Sequence, residues 1–181
     1  MPNLRDLRAL LPGCLVLALA GTAHAQFAAT GTTSLQVVVG PEAALQVTAS
    51  TSLTTAGTTF NANYTGSTSL TYKIRTTKTG GSGTITLKVT TDFSGTGGPS
   101  VASPPTAGDT LAYTCTLSSP GTAATGTNAT TTGDTSVGTF GANVSSAKTG
   151  NSGSVSWALT NDPAYKAGTY TAVVTFTIHA V

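Results

Sequence analysis

Charge is scarce in this chain. Of its 181 residues only 8% are Asp, Glu, Lys or Arg, and the 8 basic and 6 acidic side chains leave a formal net charge of +2. Neutralising nucleic-acid phosphates takes a dense basic stripe, so nucleic-acid binding is excluded as the main role. Disorder is excluded on the other side, because the polarity comes from uncharged Thr, Ser and Gly interleaved with Val, Leu and Ile, a composition able to bury a core. Cysteine and histidine are almost missing, with 2 of each. The apolar run from Ala9 to Ala20 falls short of the roughly 20 residues a spanning helix needs, so no transmembrane segment is expected.

That run has a different use. Arg5 and Arg8 precede it, and Gly21-Thr22-Ala23-His24-Ala25 supplies small residues where a signal peptidase reads, which predicts a secretory signal peptide over 1–25. Leu11-Pro12-Gly13-Cys14 loosely resembles a lipidation box, but Pro12 fits it badly and the apolar core continues past Cys14. The expected product is a single domain over 26–181, secreted, periplasmic or on the cell surface. It keeps one cysteine, Cys115, and one histidine, His179, so no disulfide can form within it. Cys115 alternates with Tyr113 and Leu117 and is expected as a buried thiol, with a bridge between chains as the alternative.

Periodicity is of period two almost throughout. Leu35, Val37 and Val39 alternate with Ser34, Gln36 and Val38, Gly40-Pro41 turns the chain, and Leu45, Val47 and Ala49 resume the pattern, which predicts two strands. Leu70, Tyr72 and Ile74 are followed beyond Gly80-Gly81-Ser82-Gly83 by Ile85, Leu87 and Val89. A two-residue Gly81-Ser82 turn would pair Ile74 with Val89 and Arg75 with Lys88 in one hairpin. A loop from Gly95 to Asp109 leads to a strand through Leu111, Tyr113, Cys115 and Leu117. Pro120 to Asp134 predicts a long polar loop or ragged edge hairpin with nothing to anchor in a core. Strands around Val137 and Phe140, through Val155, Trp157 and Leu159, and from Tyr170 to the last residues complete the chain. The expected fold is all-β, an Ig-like antiparallel β-sandwich of about seven to nine strands. Thr keeps its outer faces wet without charge, at the cost of weakly defended sheet edges.

Catalytic chemistry finds little here. A hydrolytic triad needs a base beside a nucleophile, and His179 lies alone in a strand. Glu42, Asp92, Asp109, Asp134 and Asp162 are spread singly, no Cys/His cluster or calcium loop occurs, and no Gly-rich segment has the Lys-Ser or Lys-Thr of a phosphate cradle. The chain is therefore expected to be non-enzymatic, without metal or cofactor. Lys73, Arg75, Lys78 and Lys88 form a candidate basic patch, either for an anionic glycan or lipid or as a solvated face that discourages aggregation. Trp157 and the tyrosines could form a sugar-stacking platform, although Trp157 shares the parity of Val155 and Leu159 and so belongs to the core face. Asn63-Tyr64-Thr65, Asn128-Ala129-Thr130 and Asn143-Val144-Ser145 match the glycosylation triplet, which arises by chance in a Thr-rich chain.

The segment Gly168-Thr169-Tyr170-Thr171-Ala172-Val173-Val174-Thr175-Phe176-Thr177-Ile178 resembles the closing strand of secreted bacterial β-sandwich subunits of the spore-coat-protein-U and chaperone–usher pilin type. A looser likeness extends to uncharacterised secreted bacterial proteins. The resemblance implies a subunit that lacks one strand and takes it from a neighbour's N-terminal extension. On that pattern Gln26 to Val39, with Leu35, Val37 and Val39, would be a donor or edge strand, and an ordinary first strand of a closed sandwich is the alternative. The paired cysteines frequent in such subunits are absent, and the chain ends Ala180-Val181 without a nearby aromatic terminus. The expected function is a structural or assembly protein of the bacterial cell surface, pilin-like or coat-like, that self-associates or joins another surface subunit by strand addition. The alternative is a carbohydrate-binding or adhesive module whose partner is a glycan.

Overall fold

A computed structural model describes residues 30–102 and 109–181. The expected signal peptide and the beginning of the 26–39 segment, 26–29, lie outside the described residues. The chain divides into two units, Met1–Val37 and Val38–Val181. In the first, the described residues 30–37 form no secondary structure, and Leu35 and Val37 are 94% and 82% exposed.

The second unit is an antiparallel β-sandwich. Its strands are β1 (Glu42–Val47), β2 (Thr54–Thr55), β3 (Tyr64–Arg75), β4 (Gly83–Thr91), β5 (Leu111–Leu117), β6 (Thr122–Ala123), β7 (Thr135–Phe140), β8 (Asn151–Leu159) and β9 (Val173–Ala180). One sheet runs β1-β3-β8-β5 with β2 on β3, and the other runs β6-β7-β4-β9. No helix occurs among the described residues. The period-two pattern decides the faces: along β3, Leu70, Tyr72 and Ile74 are buried while Thr71, Lys73 and Arg75 are exposed. Ile85, Leu87 and Val89 do the same from β4, and Val155, Trp157 and Leu159 from β8. Aromatic rings link the layers, with Tyr72 against Phe140 at 5.1 Å and Trp157 against Phe176 at 6.4 Å, while Tyr113 stacks beside Trp157 within one sheet at 5.8 Å.

The expected hairpin over Gly81-Ser82 does not form. β3 pairs with β1 and β8, whereas β4 pairs with β7 and β9 in the opposite sheet. Arg75 therefore faces Glu42, and Lys88 faces Thr175. The connection is longer than two residues because its backbone is committed elsewhere: Thr76 N donates to Val144 O at 3.0 Å, and Thr77 N and Ser82 N donate to Val181 O at 3.1 and 3.2 Å. Two apolar faces that would have shared one sheet instead oppose each other across the core.

Three other expectations change in detail. Val39 precedes the first strand, with no strand over 30–41, and Ala49 lies beyond β1. Tyr170 also precedes its strand, donating its hydroxyl to Lys166 O at 2.7 Å. The 120–134 segment does reach the core, through Ala129, which is 1% exposed.

Candidate functional site

The two long sides of the sandwich differ. On one side, where β5 and β7 lie, the chain covers its own edges. Thr127 O accepts from Tyr113 N at 3.1 Å, Leu111 O accepts from Ala129 N at 2.8 Å, and Val137 O accepts from Ala124 N at 2.9 Å, so the 118–131 segment ties one sheet to the other. This close approach depends on Gly126, where an added Cβ would lie 1.9 Å from Tyr113 O. Tyr72 and Tyr113 help from within, their hydroxyls donating to Ser118 O and Ser136 O.

On the other side, β1 and β9 are the outermost strands of their sheets, with Cα atoms approaching within 8 Å and no ladder joining them. Hydrogen-bond alternation fixes where their unused groups point. Val181 N donates to Ser82 O at 2.9 Å and Ser82 N to Val181 O at 3.2 Å, making that a bonded pair. Alternation then places Val174, Phe176, Ile178 and Ala180 in the non-bonded positions toward β4, so their N–H and C=O groups point to the free edge. Val89 N, opposite Val174, accordingly points the other way and donates to Thr130 O at 3.2 Å. The same logic applies to β1. Ile74 spends its backbone on Ser146 and not on Ala43, so Ala43, Leu45 and Val47 turn their groups outward.

These are the same residues whose side chains face inward and remain half-buried: Ala43, Leu45 and Val47 on β1, and Val174, Phe176, Ile178 and Ala180 on β9. Among the described residues the seam thus offers unpaired backbone groups and incompletely covered apolar side chains together. On the β9 side nothing defends it, since Val173-Val174-Thr175-Phe176-Thr177-Ile178 carries no charge and no proline, whereas the β1 side begins at Pro41 and Glu42.

Near the start of β1 a cavity of about 450 Å³ is lined by Val39–Pro41, Arg75–Lys78 and Asn143–Ser145. Arg75 Nε donates to Gly40 O at 2.7 Å, and its Nη2 forms a 2.7 Å ion pair with Glu42. Of the candidate basic patch, Lys73, Arg75 and Lys78 follow one another from the outer face of β3 into the next turn, with Glu42 among them, while Lys88 sits on the other sheet. Leu35 and Val37, with Val39 at 58% exposure, are apolar side chains without cover.

The remaining candidates lie elsewhere. His179 is exposed on β9 opposite Thr84. Trp157 is 6% exposed and its Nε1 donates to Thr68 Oγ1 at 2.8 Å, so the ring that a sugar platform needs is inside the core. Cys115 is half-buried and burial pushes its thiol up to about 11, which keeps it protonated and unreactive at neutral pH. Folding brings together two carboxylates that the sequence keeps apart. Asp92 accepts from Ser100 Oγ at 2.6 Å and from Val101 N and Phe93 N at 2.9 Å, and Asp109 accepts from Ser100 N at 2.7 Å and from the Tyr165 hydroxyl. Only the loop composition hints at this, and these oxygens are occupied in pinning the loop. Among the described residues no three His, Cys, Asp or Glu side chains gather as a metal site, and no helix is long and apolar enough to cross a membrane.

Comparison with protein-family models, with curated proteins and with solved structures returns no match.

Proposed function

We propose that this protein is an exported, non-enzymatic structural subunit of a bacterial cell surface that assembles by strand addition along the β1/β9 seam. The observation that carries this reading is the coincidence at one seam of unpaired backbone groups, half-buried Leu45 and Phe176, and an edge strand without charge or proline. A sheet edge of that kind is a template for another strand unless it is blunted, and among the described residues the opposite side of the sandwich is covered while this one is not. The occupant that suits it is an alternating apolar strand. Leu35, Val37 and Val39 are spaced to lay three side chains on one face beside three successive inward residues such as Val174, Phe176 and Ile178. The main-chain bonds supply affinity and the side chains supply register.

The test is deletion of 30–39 from the exported protein, followed by sedimentation velocity across a wide concentration range. The intact protein should associate, and the deletion variant should keep its β-type circular dichroism, remain monomeric and bind a synthetic 30–39 peptide. An intact protein that stays monomeric at high concentration, with a deletion variant that neither changes state nor binds the peptide, refutes the proposal.

A further inference from the structure

The cavity near the start of β1 lies wholly within the second unit and holds about 450 Å³, inside the range of about 300–1,000 Å³ that small-ligand clefts occupy. Thr77, Lys78, Asn143 and Ser145 line it and are exposed. Their neighbours are committed: Thr76 Oγ1 donates to Gly141 O at 2.8 Å and accepts from Val144 N at 3.1 Å, and Ser146 Oγ accepts from Ile74 N at 2.8 Å. Those four, among the described residues, spend no side-chain donor or acceptor on the chain itself. Arg75 gives Nε to Gly40 O and Nη2 to Glu42, and a five-donor guanidinium has further N–H groups left at the cavity. Asn143 sits at φ 57°, where glycine would cost less, and asparagine keeps an amide on the cavity wall.

Folding also sorts the charges. Glu42 is paired with Arg75, so at this end Lys73, Lys78 and Lys148 have no acidic partner among the described residues. Lys148 belongs here because Ser145 bridges to Arg75 and a Cβ on Gly150 would lie 3.6 Å from Lys73 Cγ. Asp92, Asp109 and Asp162 gather beyond the other end of β3, where Tyr64 faces Leu159 and Leu159 faces Leu111. The 12 residues of β3 cover about 36 Å at 3.3 Å per step. That is several times the Debye length of about 8 Å at physiological salt, so those carboxylates do not offset the lysines. Asp134 precedes Thr135, which faces Leu87 midway along β4.

We infer that this cavity binds a carboxylate-bearing sugar of an acidic glycan, with Lys78 and Arg75 facing the carboxylate and Thr77, Asn143 and Ser145 facing the hydroxyls. The uncompensated lysines select an anion. The volume selects something larger than an inorganic ion, and the mixture of hydroxyl, amide and the apolar Pro41 and Val144 suits a sugar ring, which is polar at its rim and carries C–H groups on its faces. Concavity disfavours a flat lipid surface. Lys73 and Lys148, outside the cavity, extend the positive field along which a charged polymer would continue. The inference does not rest on strand addition, whose seam is a different surface.

The experiment titrates the full exported protein with trigalacturonate, with its neutral methyl ester and with anionic phosphatidylglycerol vesicles, by calorimetry and vesicle sedimentation. Trigalacturonate should bind, and the ester should bind about fivefold more weakly or worse, since it loses the charge pairs. Raising salt from about 0.01 M to about 0.15 M shortens the Debye length from about 30 Å to about 8 Å and should weaken binding of the acid. Lys78→Gln should weaken it by about two- to fivefold. Asn143→Gly should also weaken it while leaving the melting temperature unchanged or raised, because glycine takes the left-handed conformation without penalty. The inference is wrong if trigalacturonate does not bind at low salt, if the ester binds as well as the acid, if either substitution leaves the affinity as in the wild type, or if vesicles capture the protein and trigalacturonate does not. Each of those results leaves strand addition standing, because that reading is tested by association along the β1/β9 seam.

Discussion

Thr68→Val should destabilise the sandwich out of proportion to the single hydroxyl it removes. Thr68 is buried on β3, facing Val155 across the ladder to β8, and its Oγ1 receives the indole N–H of Trp157 at 2.8 Å. An indole nitrogen only donates, so the Thr68 oxygen is the acceptor there, and a second hydrogen bond of 2.7 Å links it to Thr51 Oγ1. Valine keeps the shape and removes the acceptor, leaving a donor stranded in the core. An orphaned buried donor costs about 1–3 kcal/mol. In a domain of this size that corresponds to a fall in Tm of about 3–10 °C. Thermal unfolding followed by circular dichroism measures the shift, and Trp157 emission reports its cause, because a ring that stays buried should remain blue-shifted and poorly quenched by iodide. Thr51→Val, at the outer end of the relay, should cost less, since the Thr68 oxygen remains to accept from the indole. A Thr68→Val protein that melts with the wild type would refute the reasoning, as would one no less stable than Thr51→Val.

Asp92 gives a pH dependence. Burial pushes its carboxyl up, but hydrogen bonds from Ser100, Val101 and Phe93 outweigh that and hold it below the ordinary value of 3.8. A depressed carboxyl contributes stability that is present above its unfolded pKa and lost as pH falls through the folded one. Asp92→Asn should therefore be less stable than wild type at pH 7, with the gap closing below pH 4 in acid-unfolding curves. Cys115, its thiol pushed up to about 11, should react with a thiol reagent at pH 8 far more slowly in the folded protein than in denaturant, and melting should not depend on reductant. Gly126→Ala should force the 118–131 cover away from Tyr113 O, lowering the melting temperature and raising aggregation at the exposed β5 edge. His179→Ala, on an exposed face, should change stability by no more than about 0.5 kcal/mol.

Parity was the legible part of this fold. Leu70, Tyr72 and Ile74, or Val155, Trp157 and Leu159, announce both a strand and its buried face, because side chains alternate whatever the strand pairs with. Pairing is a different kind of information. The Gly80–Gly83 run looks like a hairpin turn from sequence, and nothing local reveals that Thr76, Thr77 and Ser82 bond to Val144 and Val181, remote in the chain, and send β4 to the other sheet. The basic patch was misjudged for the same reason: Lys88 is next to Arg75 only if the hairpin exists. Asp92 and Asp109 meet around Ser100 through loop geometry that no spacing encodes.

The seam lies between these two cases. The half-buried state of Leu45 and Phe176 follows from their parity and from being on outer strands, but which strands are outermost is set by the long-range pairing that sequence patterns do not carry. What sequence could show was the lack of defence, since a strand reading Val-Thr-Phe-Thr-Ile without Lys or Pro would aggregate unless something covered its edge. A core strand of the sandwich, flanked on both sides, would need no such protection. Among the described residues β9 is flanked by β4 alone, and it approaches β1 without bonding to it. An undefended pattern at an unflanked position invites a strand from another copy, so the intact protein should associate through β9. Replacing Phe176 with Lys in the intact protein should weaken that association, because a charge pointing into the seam makes strand addition costly. If the Phe176→Lys variant folds and yet associates as readily as the wild type, the edge of β9 is not the adhesive surface.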